Sequence, residues 1–190
     1  ASARGQIDVL EWFVNSWYKL KYNMVDVIKS SSTFIMIDSL DWWLKLCQNS
    51  VPNKFIYDND AIQSACSHGN VDVLDWWCIH SEYEFKYDED AINSAADNGH
   101  INVLEWFSIH SEYEFKYDEY SINGAAECGH IHVLEWFANS GYDFKYDEEG
   151  ITNASSNGHV NVLEWFANSG YEFKYDEGAI ECACSNGHVN

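Results

Sequence analysis

Apolar and polar positions along this chain follow one arrangement that is written repeatedly. From Asn98 to Phe107 it reads Gly-His, a branched apolar residue, then Leu-Glu-Trp-Phe. Close versions run from Gly69 to Trp77, from Gly129 to Phe137 and from Gly158 to Phe166, with weaker ones at Val9 to Phe13 and Ser39 to Trp43. The marker tryptophans Trp12, Trp42, Trp76, Trp106, Trp136 and Trp165 are separated by 30, 34, 30, 30 and 29 residues. A period of that size is the signature of a stacked repeat array.

Each repeat predicts two helices. In residues 89–117, Ile92, Ala95 and Ala96 stand at i, i+3 and i+4, the stripe of a short helix. Its apolar residues are small, so this helix must press closely on a neighbour. Asn98-Gly99 then supplies a residue that tolerates the left-handed conformation closing a helix. A second helix carries Ile101, Leu104 and Phe107 on one face, widened by Val103 and Trp106, which implies burial on more than one side. Gly141 and Gly170 read as its C-caps in two repeats. In the repeats reading "SIHSEYEF" an extra residue takes the glycine's place, and His80 and His110 are expected as exposed helix-end residues. The following Tyr-Glu-Phe-Lys-Tyr is extended, and an acidic pair opens the next first helix, where it caps amides and complements the dipole.

Helix, tight turn, helix and extended loop resemble the ankyrin repeat. Against its familiar pattern, Ala91-Ile92 stands at Pro-Leu, Ala95-Ala96 at the Ala pair and Gly99-His100 at Gly-His. Val103-Leu104 stands at the Val pair, Trp106-Phe107 at the Leu pair, and Gly141 to Phe144 at Gly-Ala-Asp-Val. Two departures stand out. The Thr-Pro opening of the first helix is absent, and the repeat falls short of the usual length of about 33 residues. Short, Trp-containing repeats of this kind look like those of amoebae and of the large DNA viruses that infect them.

The resemblance implies an all-α ankyrin-type solenoid of stacked antiparallel helix pairs with short inter-repeat turns. Residues 1–190 are expected to form a single array of about six repeats counting fragments, truncated at both ends, with further repeats or an effector domain beyond. The repeat at about 27–57 is irregular. Aligning Leu40 with Leu104 puts Ser31-Ser32 at the Ala pair and Ile35-Met36 at Gly-His, and an insertion falls around Cys47 to Pro52. A distorted or lengthened second helix is expected there.

Candidate chemistry reduces to packing. His100, His130, His159 and His188 share one slot, but neighbouring repeats put them roughly 10 Å apart, too far to share a zinc whose ligand bonds are about 2 Å. They read as helix-start residues bonding neighbouring backbone. Cys182-x-Cys184 sits where other repeats have Ala or Ser, so packing is expected there too. Six cysteines without a CxxC suit reduced thiols and a cytoplasmic setting, which would be host-cell cytoplasm or virion for a viral protein. No segment approaches the roughly 18 uninterrupted apolar residues of a membrane helix. No phosphate loop, metal motif or catalytic constellation stands out, so the expectation is a non-enzymatic protein with no cofactor.

Charge is the more informative signal. Thirty-one acids against ten bases give a net charge of −21, a field that repels nucleic acid and draws in basic partners. The acids gather at the turns: Asp88 and Glu89, Asp118 and Glu119, Asp147 and Glu148, and Asp176 lie beside Tyr87, Tyr117, Tyr146 and Tyr175. Two readings stand: a solvated, helix-capping face, or a ridge that recognises a protein. The residues before each glycine drift between repeats, notably Asp97-Asn98, Glu127 and Ser156-Asn157. The resemblance implies that these lie on the concave inner-helix face that meets a partner. The expected function is therefore a protein–protein interaction module using the Tyr-lined acidic ridge and the inner face. A structural scaffold or virion-associated repeat protein is the alternative.

Overall fold

Small residues at one stripe and large ones at the next produce paired short helices. The computed structural model describes residues 6–16, 21–49 and 55–187, and among these every regular element is a helix. The chain divides into two compact units, residues 1–87 and 88–190.

The second unit shows the repeat most plainly. It holds α6 (Asp90–Asp97), α7 (Ile101–Ile109), α8 (Tyr120–Glu127), α9 (Ile131–Ser140), α10 (Glu148–Ser156), α11 (Val160–Ser169) and α12 (Gly178–Ser185). First helices stack on first helices, α6 on α8, α8 on α10 and α10 on α12, while α7, α9 and α11 form a second layer. Each first helix also packs on its own partner, as α6 on α7, α8 on α9 and α10 on α11. This is a helical repeat solenoid architecture. Ile92, Ala95 and Ala96 are fully buried, as their stripe requires. On α7 the buried face is Val103, Leu104, Trp106 and Phe107, whereas Ile101 is only half-buried. The Val slot therefore outranks the branched residue that opens the helix. Phe137 is fully buried and its neighbour Trp136 only half-buried.

The turn within each pair is a Schellman closure. His100 N–H donates to Ala95 O at 2.8 Å and Gly99 N–H to Ala96 O at 3.1 Å, and His130 and Gly129 repeat the pattern on Ala125 and Ala126. Gly99 is needed twice over. Its φ is +76°, and a Cβ there would sit 3.1 Å from the His130 ring of the next repeat. The expected C-caps Gly141 and Gly170 are left-handed, with φ of 84° and 85°.

The first unit contains α1 (Ile7–Asn15), α2 (Met24–Thr33), α3 (Ile37–Asn49), α4 (Asn59–Ser67) and α5 (Val71–Ile79). First helices α2 and α4 stack, α3 packs on α1 and α5, and the pairs α2–α3 and α4–α5 close as in the second unit. The irregular repeat is lengthened in the way its sequence suggested: α3 has 13 residues, against 9 in α5. Part of the insertion, residues 50–54, lies outside the described residues.

This repeat keeps the backbone of the others at a local cost. Ser31 and Ser32 fill the Ala slots in full burial, and Ser32 Oγ has no hydrogen-bond partner. Met36 N–H donates to Ser31 O at 2.9 Å, so the same closure forms, but Ile35 must take the glycine's conformation at φ 53°. A left-handed non-glycine residue costs about 1–2 kcal/mol, and Ile35 is too exposed for packing to repay it. Ile35→Gly should therefore raise stability by roughly 0.5–1 kcal/mol after allowing for glycine's extra unfolded entropy. A chemical denaturation midpoint that fails to move upward would overturn this.

Candidate functional site

The turn tyrosines are occupied in holding repeats together. Tyr117 O–H donates to Asp143 O in the next turn at 2.7 Å, its ring lies 5.4 Å from Phe137, and Lys145 Nζ sits 4.2 Å above it. Lys145 also donates to Tyr117 O at 3.2 Å. Tyr146 repeats the arrangement with Glu172 O, Phe166 and Lys174, and Tyr57 with Glu84 O, Trp77 and Lys86. Burial pushes the phenol of Tyr117 above its ordinary range, with the Asp143 charge adding to the shift, and Tyr57 rises to about 12. Tyr87 is half-buried and meets Phe85 edge-on at 5.5 Å. Tyr175 alone of the ridge tyrosines is exposed. Three lysines of a base-poor chain are thus drawn onto the turns, where they face aromatic rings.

Aspartate and glutamate at the turns do different things. Asp118 Oδ1 accepts from Tyr120 N–H at 3.1 Å and from Asn93 Nδ2 of the preceding repeat at 2.7 Å. Asp147 Oδ1 does the same with Glu149 N–H at 3.0 Å and Asn123 Nδ2 at 2.7 Å. Asp176 Oδ1 accepts from Thr152 Oγ1 at 3.1 Å. Asp118 and Asp147 are therefore both helix caps and inter-repeat links, and Asp176 is a link. Asp88 is half-buried, while Glu89, Glu119 and Glu148 point into solvent.

The drifting positions form a second set on the first helices. Asp97, Asn98, Glu127 and Asn157 are exposed and Ser156 half-buried. Asn98 Nδ2 turns back to Ser94 O at 2.8 Å, Asn157 Nδ2 crosses to Glu127 O at 2.9 Å, and Asn186 Nδ2 crosses to Ser156 O at 2.8 Å. Within the second unit Asp97 and Glu127 come together in a groove of about 270 Å³. It is lined also by Asn93, Tyr120, Asn123, Glu149 and Asn153, none of which was among the expected contact residues. Asn153 Nδ2 donates to Glu127 Oε2 at 2.9 Å. Gly124 makes the room: a Cβ there would stand 2.9 Å from Asp97 Oδ1. A glycine inside a helix costs about 1 kcal/mol, and Gly124 at the slot of Ser94 was the available signal. Three carboxylates and no base line this groove.

The remaining candidates are structural. His80 and His110 differ from expectation: both are half-buried, with rings stacked on Trp76 and Trp106 at 4.1 and 4.0 Å. Their Nδ1 atoms lie 2.8 Å from Trp76 O and Trp106 O, so in the Nδ1–H tautomer each ring caps its helix where other repeats use glycine. His100, His130 and His159 open second helices without a side-chain cap bond. The His130 and His159 rings lie over Gly99 and Gly129, and the His130 ring also bonds the Asp97 backbone, as expected of a helix-start residue. Burial holds His130 below the usual imidazole range, and the nearby His132 pushes it further down. His188 lies outside the described residues. Cys182 and Cys184 are exposed on α12. Cys128 bonds Asp97 Oδ1 at 3.4 Å, and burial followed by that carboxylate pushes its thiol up to about 11, away from nucleophilic use.

No protein-family model matches this chain, and comparison with curated proteins finds no match. Among the described residues no helix is long and apolar enough to cross a membrane.

Proposed function

We propose that this chain is an ankyrin-type repeat protein that binds a basic protein segment on its first-helix face, with no catalytic role. The observation that carries the reading is the groove on α6, α8 and α10, where Asp97, Glu127 and Glu149 converge without a base. Lys145 and Lys174 are held on tyrosine faces in the turns. The family pattern supplies the ankyrin assignment, and the Gly-His closures at φ near +76° fit it. The exposed glutamates of the turns extend the same negative field and steer a cationic partner toward the face. Tyr120, exposed at the rim, offers an aromatic contact of the kind that interfaces favour.

An arginine-rich model peptide tests the site, because each charge lost can be matched by one lost elsewhere. Glu127→Gln should weaken binding by calorimetry about tenfold, the low end of the coupling between close charge pairs across an interface. Glu105→Gln, which removes one exposed charge from α7, should change it by less than about twofold at 0.15 M salt. Equal effects of the two substitutions would mean diffuse attraction to a negative chain, and the groove would lose its role.

A further inference from the structure

One junction of the first unit closes less tightly than its counterparts in the second. Phe115 stacks on Tyr142 at 4.2 Å and 18°, and on Trp136 at 5.7 Å and 24°. Phe144 repeats both contacts with Tyr171 and Trp165. Phe55 fills the same slot in the first unit, yet its ring meets Tyr83 at 5.1 Å and 57°, and Trp76 at 6.3 Å and 44°. Beside these splayed rings lies a cavity of about 510 Å³. Cavities of that size, aromatic with a few polar groups, are the usual form of a small-ligand site.

Wall and rim of this cavity differ in chemistry. Phe55, Tyr57 and Cys47 are buried in the wall, and Tyr83 is half-buried. Burial pushes the Cys47 thiol up, so it offers a polarizable apolar surface rather than a thiolate. The Tyr57 hydroxyl is taken by Glu84 O at 2.6 Å. Lys86 also lines the cavity but is already engaged, with Nζ 4.5 Å above the Tyr57 ring and donating to Tyr57 O at 3.3 Å. Ile56, another lining residue, stands at the slot where later turns carry Lys86, Lys116, Lys145 and Lys174. Glu82 and Glu84 are exposed at the rim. The charges open to a ligand are therefore negative, and the surface behind them is aromatic.

We propose that this cavity binds a small arylalkylammonium molecule, its ring against Phe55 and Tyr83 and its ammonium on Glu82 and Glu84. Splayed rings accept an aromatic ligand edge-to-face or offset-stacked, and a cation close to them gains from their π-faces as well. The two carboxylates turn away the corresponding anion. This site is built wholly from the first unit and does not depend on the basic-partner reading of the second.

Saturation-transfer NMR on the full 190-residue chain tests the site with three molecules of similar shape. Phenethylamine is a cation at neutral pH, 2-phenylethanol is neutral and 3-phenylpropionate is an anion. The amine should bind saturably below millimolar concentration, the alcohol more weakly, and the anion not at all. Glu82→Gln, at an exposed position, should weaken the amine about threefold to fivefold, the range of an exposed ion pair, and leave the alcohol unchanged. Tyr83→Leu keeps an apolar side chain but removes a ring, so it should weaken amine and alcohol alike. Glu105→Gln on α7 should alter neither. Circular dichroism checks that each variant is folded, and Glu82→Gln carries the test if Tyr83→Leu is not. No saturable amine binding, an anion that binds as well as the amine, or equal effects of Glu82→Gln and Glu105→Gln would each overturn the proposal.

Discussion

Replacing Phe137 by alanine should cost about 3–5 kcal/mol, while Trp136→Ala should cost no more than about 2 kcal/mol. The sequence marks Trp136 as the signature residue of its repeat, yet the adjacent phenylalanine is the one wholly removed from water. The Phe137 ring meets Tyr117 of the preceding turn at 5.4 Å and Phe115 at 6.2 Å, so its loss opens a cavity between repeats as well as within one. Trp136 stacks on Phe115 at 5.7 Å and Tyr142 at 6.0 Å but keeps one side to solvent. Urea titrations of both variants decide the matter. Equal losses, or a larger loss for Trp136→Ala, would mean that the buried phenylalanine is not the anchor of the repeat.

The acidic turns should split just as sharply. Asp118→Ala should destabilise the chain by about 2–3 kcal/mol, since it removes the bond to Tyr120 N–H and strands the amide of Asn93. Glu119→Gln, one residue later and exposed, should stay within about 0.5 kcal/mol. Neutralising the two together would confuse a structural loss with a loss of charge, so any test of recognition belongs on the glutamates. Thermal melts of the two single variants suffice. Matching shifts would show that Asp118 is merely another surface acid.

How much of this was written in the sequence depends on the range of the interaction. Ile92, Ala95 and Ala96 sit within one turn of helix, and Gly99 follows directly, so the helix pair and its closure could be read locally. The extra length of α3 and the misfit at Ile35 were legible because five other repeats define what those slots should hold. Asp118 and Glu119 carry the same charge, and locally only the shorter side chain of Asp118 suits the helix cap. Its second bond, to Asn93 a repeat earlier, was not legible, nor were those of Asn123 to Asp147 and Thr152 to Asp176. The tyrosines were ambiguous for the same reason, because the carbonyl and lysine that engage Tyr117 lie in the following turn. His80 and His110 could have been recognised. Each stands four residues after a tryptophan, the spacing at which helical side chains meet. The groove was half legible: its lining falls into repeated slots, Asn93 with Asn123 and Asp97 with Glu127, but its depth depends on how closely three helices stack.

The bonds that cross from repeat to repeat have a genetic consequence. Asp118 reaches back to Asn93 and Tyr117 reaches forward to Asp143, so within the second unit each repeat presents a donor set on one side and its matching acceptors on the other. Suppose residues 118–146 were duplicated in tandem. The inserted block would offer its own aspartate to Asn123 and its own lysine to Tyr146, and would leave the original partners to be met by its own far edge. No new interface would have to arise. An array wired in this way can gain or lose a repeat through one unequal crossover and fold at once, so its length is free to drift while the chemistry of each junction is inherited unchanged.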